Sequence, residues 1–150
     1  MGFDFTEFAE SYAASLTDTL AKLPFSSMKK LWEIVERARE QGSTVHFIGN
    51  GGSAGTPSHS AGDWSKELSL RTLSHVDNSP ALTAWANDTD FENVFVGQLS
   101  TFASPGDVVI GFSGSGNSAN VINGIRYSKD NGCITAVSYT HLRAHETPVN

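Results

Sequence analysis

The sequence predicts an α/β fold built on a parallel β-sheet, and three observations predict it. Short apolar runs at 45–48, 108–112 and 134–137 alternate with segments of helical periodicity, the pattern of strands joined by crossover helices. Two of these runs pass directly into loops rich in glycine and serine, IGNGGSAG at 48–55 and GFSGSGNSAN at 111–120, each leading into a helical segment. Two more helical segments precede the first strand.

Taken in order, residues 5–22 place Phe5, Phe8, Tyr12, Leu16 and Leu20 at helical spacing, and Pro24 breaks the run. Residues 27–41 carry Met28, Leu31, Ile34, Val35 and Ala38 between charged residues, a second amphipathic helix that Gly42 ends. The strand at 45–48 leads into a helix reaching about Leu68, with Pro57 expected in its first turn, where a missing N–H costs little. Residues 74–76 read as a weak strand, 80–86 as a short helix and 91–102 as another. Pro105-Gly106-Asp107 is a turn before the clearest buried strand, 108–112. A helix over 120–128 stops at Asn131-Gly132, and 134–137 is a further strand.

One hundred and fifty residues suit a single core. A net charge of −6 argues against a nucleic-acid backbone as main partner. No apolar run is long enough to span a bilayer, and the acidic start MGFDFTEFAE is not a signal peptide. These features predict a cytoplasmic protein without membrane or nucleic-acid partners. Gly2 and Thr6 fit the myristoylation pattern, which is too short to carry an assignment. The single cysteine, Cys133, lies beside apolar strand residues and reads as an inert core thiol.

In an open parallel sheet, ligands collect beyond the carboxyl ends of the strands, where both loops fall. Gly49, Gly51 and Gly52 allow tight turns and close backbone approach. Ser53 opens one helix, and Ser113, Ser115 and Ser118 surround Gly114 and Gly116 in the other loop. Hydroxyls and helix N-terminal amides satisfy phosphate oxygens without Lys or Arg. The alternative is that serine and glycine are turn formers only. Neither loop has the lysine of a P-loop, and the first matches the dinucleotide fingerprint only loosely. His59 and Asp63 share a helix face at i,i+4, as a metal-ligand or acid–base pair or as an ordinary solvated pair. Trp64 and Trp85 read as core or interface residues rather than a sugar platform.

The strings GNGGSA at 49–54, SHSAGD at 58–63, LTAWANDTDFENVF at 82–95, PGDVVIGFSGSGNSANVINGI at 105–125 and ITAV at 134–137 resemble the sugar isomerase (SIS) domain family. Within it they are most similar to the D-sedoheptulose-7-phosphate isomerase (phosphoheptose isomerase) branch. The resemblance covers roughly residues 5–137. It implies a three-layer α/β/α sandwich of flavodoxin-like topology, with an N-terminal helical segment at 1–42 used in tetramer assembly and a SIS core at 43–137. It implies a phosphorylated sugar, sedoheptulose 7-phosphate or similar, as ligand. Asn50, Gly51, Gly52, Ser53, Asp88, Ser113, Gly114, Ser115 and Ser118 would line the phosphate and sugar site. His59 would be a zinc ligand, and Asp63 stands where better-known members carry a metal-binding glutamate that acts as base; its carboxylate is one methylene shorter. The implied reaction is aldose–ketose isomerisation through an enediol. A non-catalytic phosphosugar-binding or regulatory SIS domain is the alternative.

After about Val137 the resemblance stops. Family members continue with a Gly-rich turn, a strand and a helix whose Gln and His complete the zinc site. This chain reads SYTHLRAHETPVN at 138–150 instead. The expectation is a C-terminally truncated chain with a non-native tail, resembling translated adapter sequence, and half of the active site unmatched.

Overall fold

A computed structural model describes residues 2–139 and forms two compact units that divide between Trp32 and Glu33. In the first unit, Asp4 caps helix α1 (Phe5–Ala21), its carboxylate accepting from Thr6 N at 2.9 Å and Glu7 N at 3.1 Å. Its apolar stripe of Phe5, Phe8, Tyr12, Leu16 and Leu20 is exposed throughout. Helix α2 (Phe25–Gln41) starts directly after Pro24 and runs across the division, so its second half belongs to the larger unit, where Val35 and Ala38 are buried. Gly42 takes a φ of +69° and Ser43 N donates back to Ala38 O at 2.9 Å, a glycine-mediated helix stop.

The larger unit holds four parallel strands, β1 (Thr44–Gly49), β2 (Arg71–Ser74), β3 (Val108–Ser113) and β4 (Ile134–Tyr139), in the order β2-β1-β3-β4. The parallel α/β fold predicted from the sequence is thus the observed one. Helix α3 (Gly52–Leu68) covers one face of the sheet, where Phe47 meets the Trp64 ring edge-on at 5.2 Å. On the other face lie α4 (Ser79–Asp88), α5 (Val94–Phe102) and α6 (Ala119–Asp130). There Ile48 and Val109 bury themselves among Val94, Phe95, Leu99, Val121 and Ile125. Gly111 lets α6 approach β3: a Cβ there would sit 3.0 Å from Val121 Cγ1.

Four local expectations differ from the structure. Strand β2 lies upstream of 74–76. It is an edge strand in which only Leu73 is apolar and burial rises from exposed Arg71 to buried Ser74, so no apolar run marks it; Thr72 Oγ1 ties it to α3 by donating to Ala61 O at 2.7 Å. Pro57 is buried inside α3, beyond its first turn, because Gly51 turns the chain out of β1 at a φ of +55° and the helix starts at once. The segment 91–102 is a 3-10 turn (Phe91–Asn93) followed by α5, the turn held by Asn93 Nδ2 donating to Asp90 Oδ2 at 2.9 Å. Finally, β4 continues past Val137, Ser138 and Tyr139 pairing with Phe112 and Ser113. Of the tail at 138–150, residues 140–150 lie outside the described residues, and with them His141, His145 and Glu146, the side chains of the tail whose types suit a metal. Among the described residues no helix is long and apolar enough to cross a membrane.

Candidate functional site

Strand order reverses direction around β1 and β3: the chain steps from β1 to one neighbour, β2, and later to the other, β3. A crevice opens at such a switch point, beyond the carboxyl ends of the two strands. Both glycine-serine loops stand there, since Gly49 pairs with Phe112 and the next residues are Asn50 and Ser113.

Each loop has its own device. Gly49 cannot carry a side chain, because a Cβ would run into the Ser53 carbonyl. The end of β1 is therefore closely packed on the first turn of α3, and Ser53 is half-buried. Pro57 has no N–H to offer that same Ser53 carbonyl. In the second loop, Ser113 is buried with its Oγ 3.3 Å from Ser118 Oγ, closing the neck. Ser115 Oγ accepts from Asn117 N at 3.2 Å, and Gly116 turns the chain at a φ of +68°. Gly114 and Ser115 are exposed at the tip.

The helices that leave these loops begin without a side-chain cap. Gly51 has none to give, and Ser118, at the N-cap of α6, is turned to Ser113. By contrast, Asp4 caps α1 and Asn78 caps α4, accepting from Ala81 N at 3.2 Å. In α6 the Val121 amide is already taken by Asn120 Oδ1 at 2.9 Å; the first-turn amides left uncapped carry partial positive charge and suit an anion.

A link between the loops escaped the sequence reading. Asn50 Nδ2 donates to Asn120 Oδ1 at 2.7 Å, and Asn120 Nδ2 donates to Asn50 Oδ1 at 2.9 Å. The structure thus brings Asn50 and the 113–118 loop together through α6. Asp88 is not joined to them by a hydrogen bond among the described residues; exposed at the end of α4, it accepts from Asn87 Nδ2 at 2.8 Å. His59 and Asp63 do pair, with Nε2 3.2 Å from Oδ2, but both are open to solvent, their side chains 82% and 57% exposed. Among the described residues no group of three or more His, Cys, Asp or Glu could hold a metal ion. Two donors fall short of the three or four protein ligands of a zinc site, so the described residues do not fit one. Trp64 packs on Phe47, and the Trp85 ring lies against Gly97, where a Cβ would overlap it.

A second polar cluster, also missed, sits in the core. His46 and His75, each 1% exposed, stack at 5.2 Å with His46 Nδ1 3.0 Å from His75 Nε2. His46 Nε2 lies 3.3 Å from Asp107 Oδ2. The Asp107 carboxylate also accepts from Thr44 N and Ser104 N, both at 2.8 Å, at the amino ends of β1 and β3. Burial pushes His46 down, opposed by the hydrogen bond and charge of Asp107. Burial and the neighbouring His46 push His75 down to about 4, against a hydrogen bond with Gln98. Both imidazoles are neutral at pH 7. The one sequence signal was a histidine inside an otherwise apolar strand.

The SIS domain family model matches residues 7–137. This chain belongs to the SIS domain family. As a SIS domain it is similar to the phosphoheptose isomerase of Solidesulfovibrio magneticus, 41% identical over 103 residues that cover 65% of this chain and 50% of that protein. It is 35% identical to the phosphoheptose isomerase of Aquifex aeolicus over 138 residues, 89% of this chain and 65% of the relative. The solved phosphoheptose isomerase of Neisseria gonorrhoeae superposes with a TM-score of 0.78 at 30% identity, covering 89% of this SIS domain and 72% of that chain. The Francisella tularensis phosphoheptose isomerase, at 21% identity and a TM-score of 0.80, shares the fold. The chain spans about half to two-thirds of the length of these curated relatives.

Proposed function

We propose that this SIS domain binds a phosphorylated sugar of the sedoheptulose 7-phosphate type, with the phosphate between the loops at 50–53 and 113–118. One observation carries the reading: two glycine-serine loops meet at the carboxyl ends of adjacent parallel strands, each leading into a helix without a side-chain cap. Ser53, Ser113, Ser115 and Ser118 supply hydroxyls, and Gly51, Gly52 and Gly114 allow close backbone approach. Asn50 and Asp88 are assigned to the sugar hydroxyls. The relatives named phosphoheptose isomerase support this substrate class.

The activity proposed with it is aldose–ketose isomerisation. The Asp63 carboxylate takes the proton from the carbon beside the carbonyl, and the C–H electron pair becomes the C=C bond of an enediol. The carbonyl oxygen gains a proton, the adjacent hydroxyl gives one up, and the carbon-bound proton returns to the neighbouring carbon, so atoms balance with no co-reactant. His59, 3.2 Å away, orients Asp63 and is placed to move the oxygen-bound proton. A homotetramer built on the N-terminal helices belongs to this proposal; zinc does not, because His59 and Asp63 are only two of the donors it needs and no step depends on it.

The test is incubation of the chain with sedoheptulose 7-phosphate in D2O, with NMR detection of deuterium at the carbons flanking the carbonyl. Exchange that Asp63→Asn abolishes is the expected result. Ligand-dependent shifts without exchange would instead establish the second reading, a binding or regulatory SIS domain. The exposed His59–Asp63 pair, with no third donor among the described residues, favours that reading.

A further inference from the structure

Asn50 follows β1 and Asn120 opens α6, 70 residues apart in the chain. Their two amides face each other and exchange both hydrogen bonds, at 2.7 and 2.9 Å. Such a reciprocal pair fixes distance and also the plane of each amide. Asn120 is 2% exposed, and its Oδ1 also accepts from Val121 N at 2.9 Å. The second bond identifies that atom as the oxygen and anchors the amide to its own helix. Asn120 is therefore the fixed member and Asn50 the member it holds.

What Asn50 carries with it is the whole first loop. Gly49 is packed on the Ser53 carbonyl without room for a Cβ, and Gly51 and Gly52 between them have no side chains to anchor. The amide pair is the one side-chain hydrogen-bonded link between the two loops among the described residues. A buried amide pair adds little net stability, because its bonds replace bonds to water. Its particular property is orientation.

We propose that Asn120 is a positioning residue that acts through Asn50 to set the gap between the two anion-binding loops, so that both close on a single phosphate as one site. The proposal rests on the phosphosugar reading above. Asn120 itself, buried behind Asn50, does not touch the ligand.

The test titrates inorganic phosphate into the full chain and follows backbone amides of 51–53 and 113–118 by 15N-resolved NMR. Thermal melting of each variant is recorded alongside. In the unaltered chain both loops are expected to report one common Kd. Asn120→Leu keeps the shape and removes both bonds to Asn50, together with the one from Val121 N. It should weaken binding about tenfold, with the loops reporting separate Kd values, because the gap between them is no longer held. If the variant melts lower yet both loops still report the original single Kd, Asn120 is merely structural and the proposal is overturned. Asn120→Ser, smaller and polar, decides by the same criterion should the leucine variant fail to fold. If the unaltered chain shows no phosphate-dependent shift in either loop, the phosphosugar reading falls and this inference falls with it. A response in the unaltered chain that Asn120→Leu leaves intact overturns the inference alone.

Discussion

His46 and His75 sit where the core allows an imidazole only in its neutral form. Both titrate below the ordinary value near 6.5 that they regain on unfolding. As pH falls, the unfolded chain therefore takes up protons first. Their contribution to stability is fully present above about pH 6.5 and is lost from there toward pH 4. For His75 the loss is roughly 3 kcal/mol. Urea denaturation at pH 7 and pH 4.5 should show the decline, and His75→Gln should flatten it. Packing sets a second expectation. A Cβ on Gly124 would lie 2.9 Å from Ile48 Cδ1 and 3.3 Å from both Leu99 Cδ1 and Phe95 Cβ. Gly124→Val should then cost about 1–3 kcal/mol through overpacking, read as a lower urea midpoint at unchanged slope. At this scale the sequence is legible unevenly. Ser113 and Ser118 announce themselves through a glycine-rich loop. Asn120 and Asp107 do not, because the partners that matter, Asn50 for one and Thr44 and His46 for the other, lie 61 to 70 residues away. The expected inert thiol matches its surroundings: Cys133 is buried with Sγ 3.5 Å from Ser104 O, and burial raises its pKa.

Among elements, those with a strong local signal were readable: α1, α2, α6, β1 and β3 lie close to their expected places because apolar periodicity and glycine stops fix them. Strand β2 was misplaced because an edge strand's identity comes from its pairing with Thr44, Val45, His46 and Phe47, not from its own composition. Pro57 was misplaced by half a turn or more because the start of α3 is decided by the backbone of Gly51. That helix start yields a direct prediction. Gly49→Ala must push the Ser53 carbonyl aside, displacing the first turn of α3. Phosphate affinity should fall about tenfold or more while the far-ultraviolet circular dichroism stays unchanged, measurable by calorimetric titration. His59 and Asp63, by contrast, were expected as a pair and are one, yet solvent surrounds both.

For the molecule as a whole, topology was the most legible level: alternating strands and helices imply a parallel sheet, and the order β2-β1-β3-β4 places both loops at its switch point. Among the described residues β4 is an edge strand, with Ile134, Val137 and Tyr139 each more than a third exposed. Exposed apolar edges favour strand-to-strand association. Val137→Lys should reduce concentration-dependent scattering without lowering the melting temperature. Along β1 and β3 the two polar clusters are set apart. Asp107 joins the strands at their amino ends, and the serine loops occupy the carboxyl ends. The two ends can therefore be altered separately. Substitutions among the serines at the rim leave the Asp107 carboxylate free to go on closing β1 on β3 at the other end. The rim can thus be rewritten without first dismantling the scaffold beneath it.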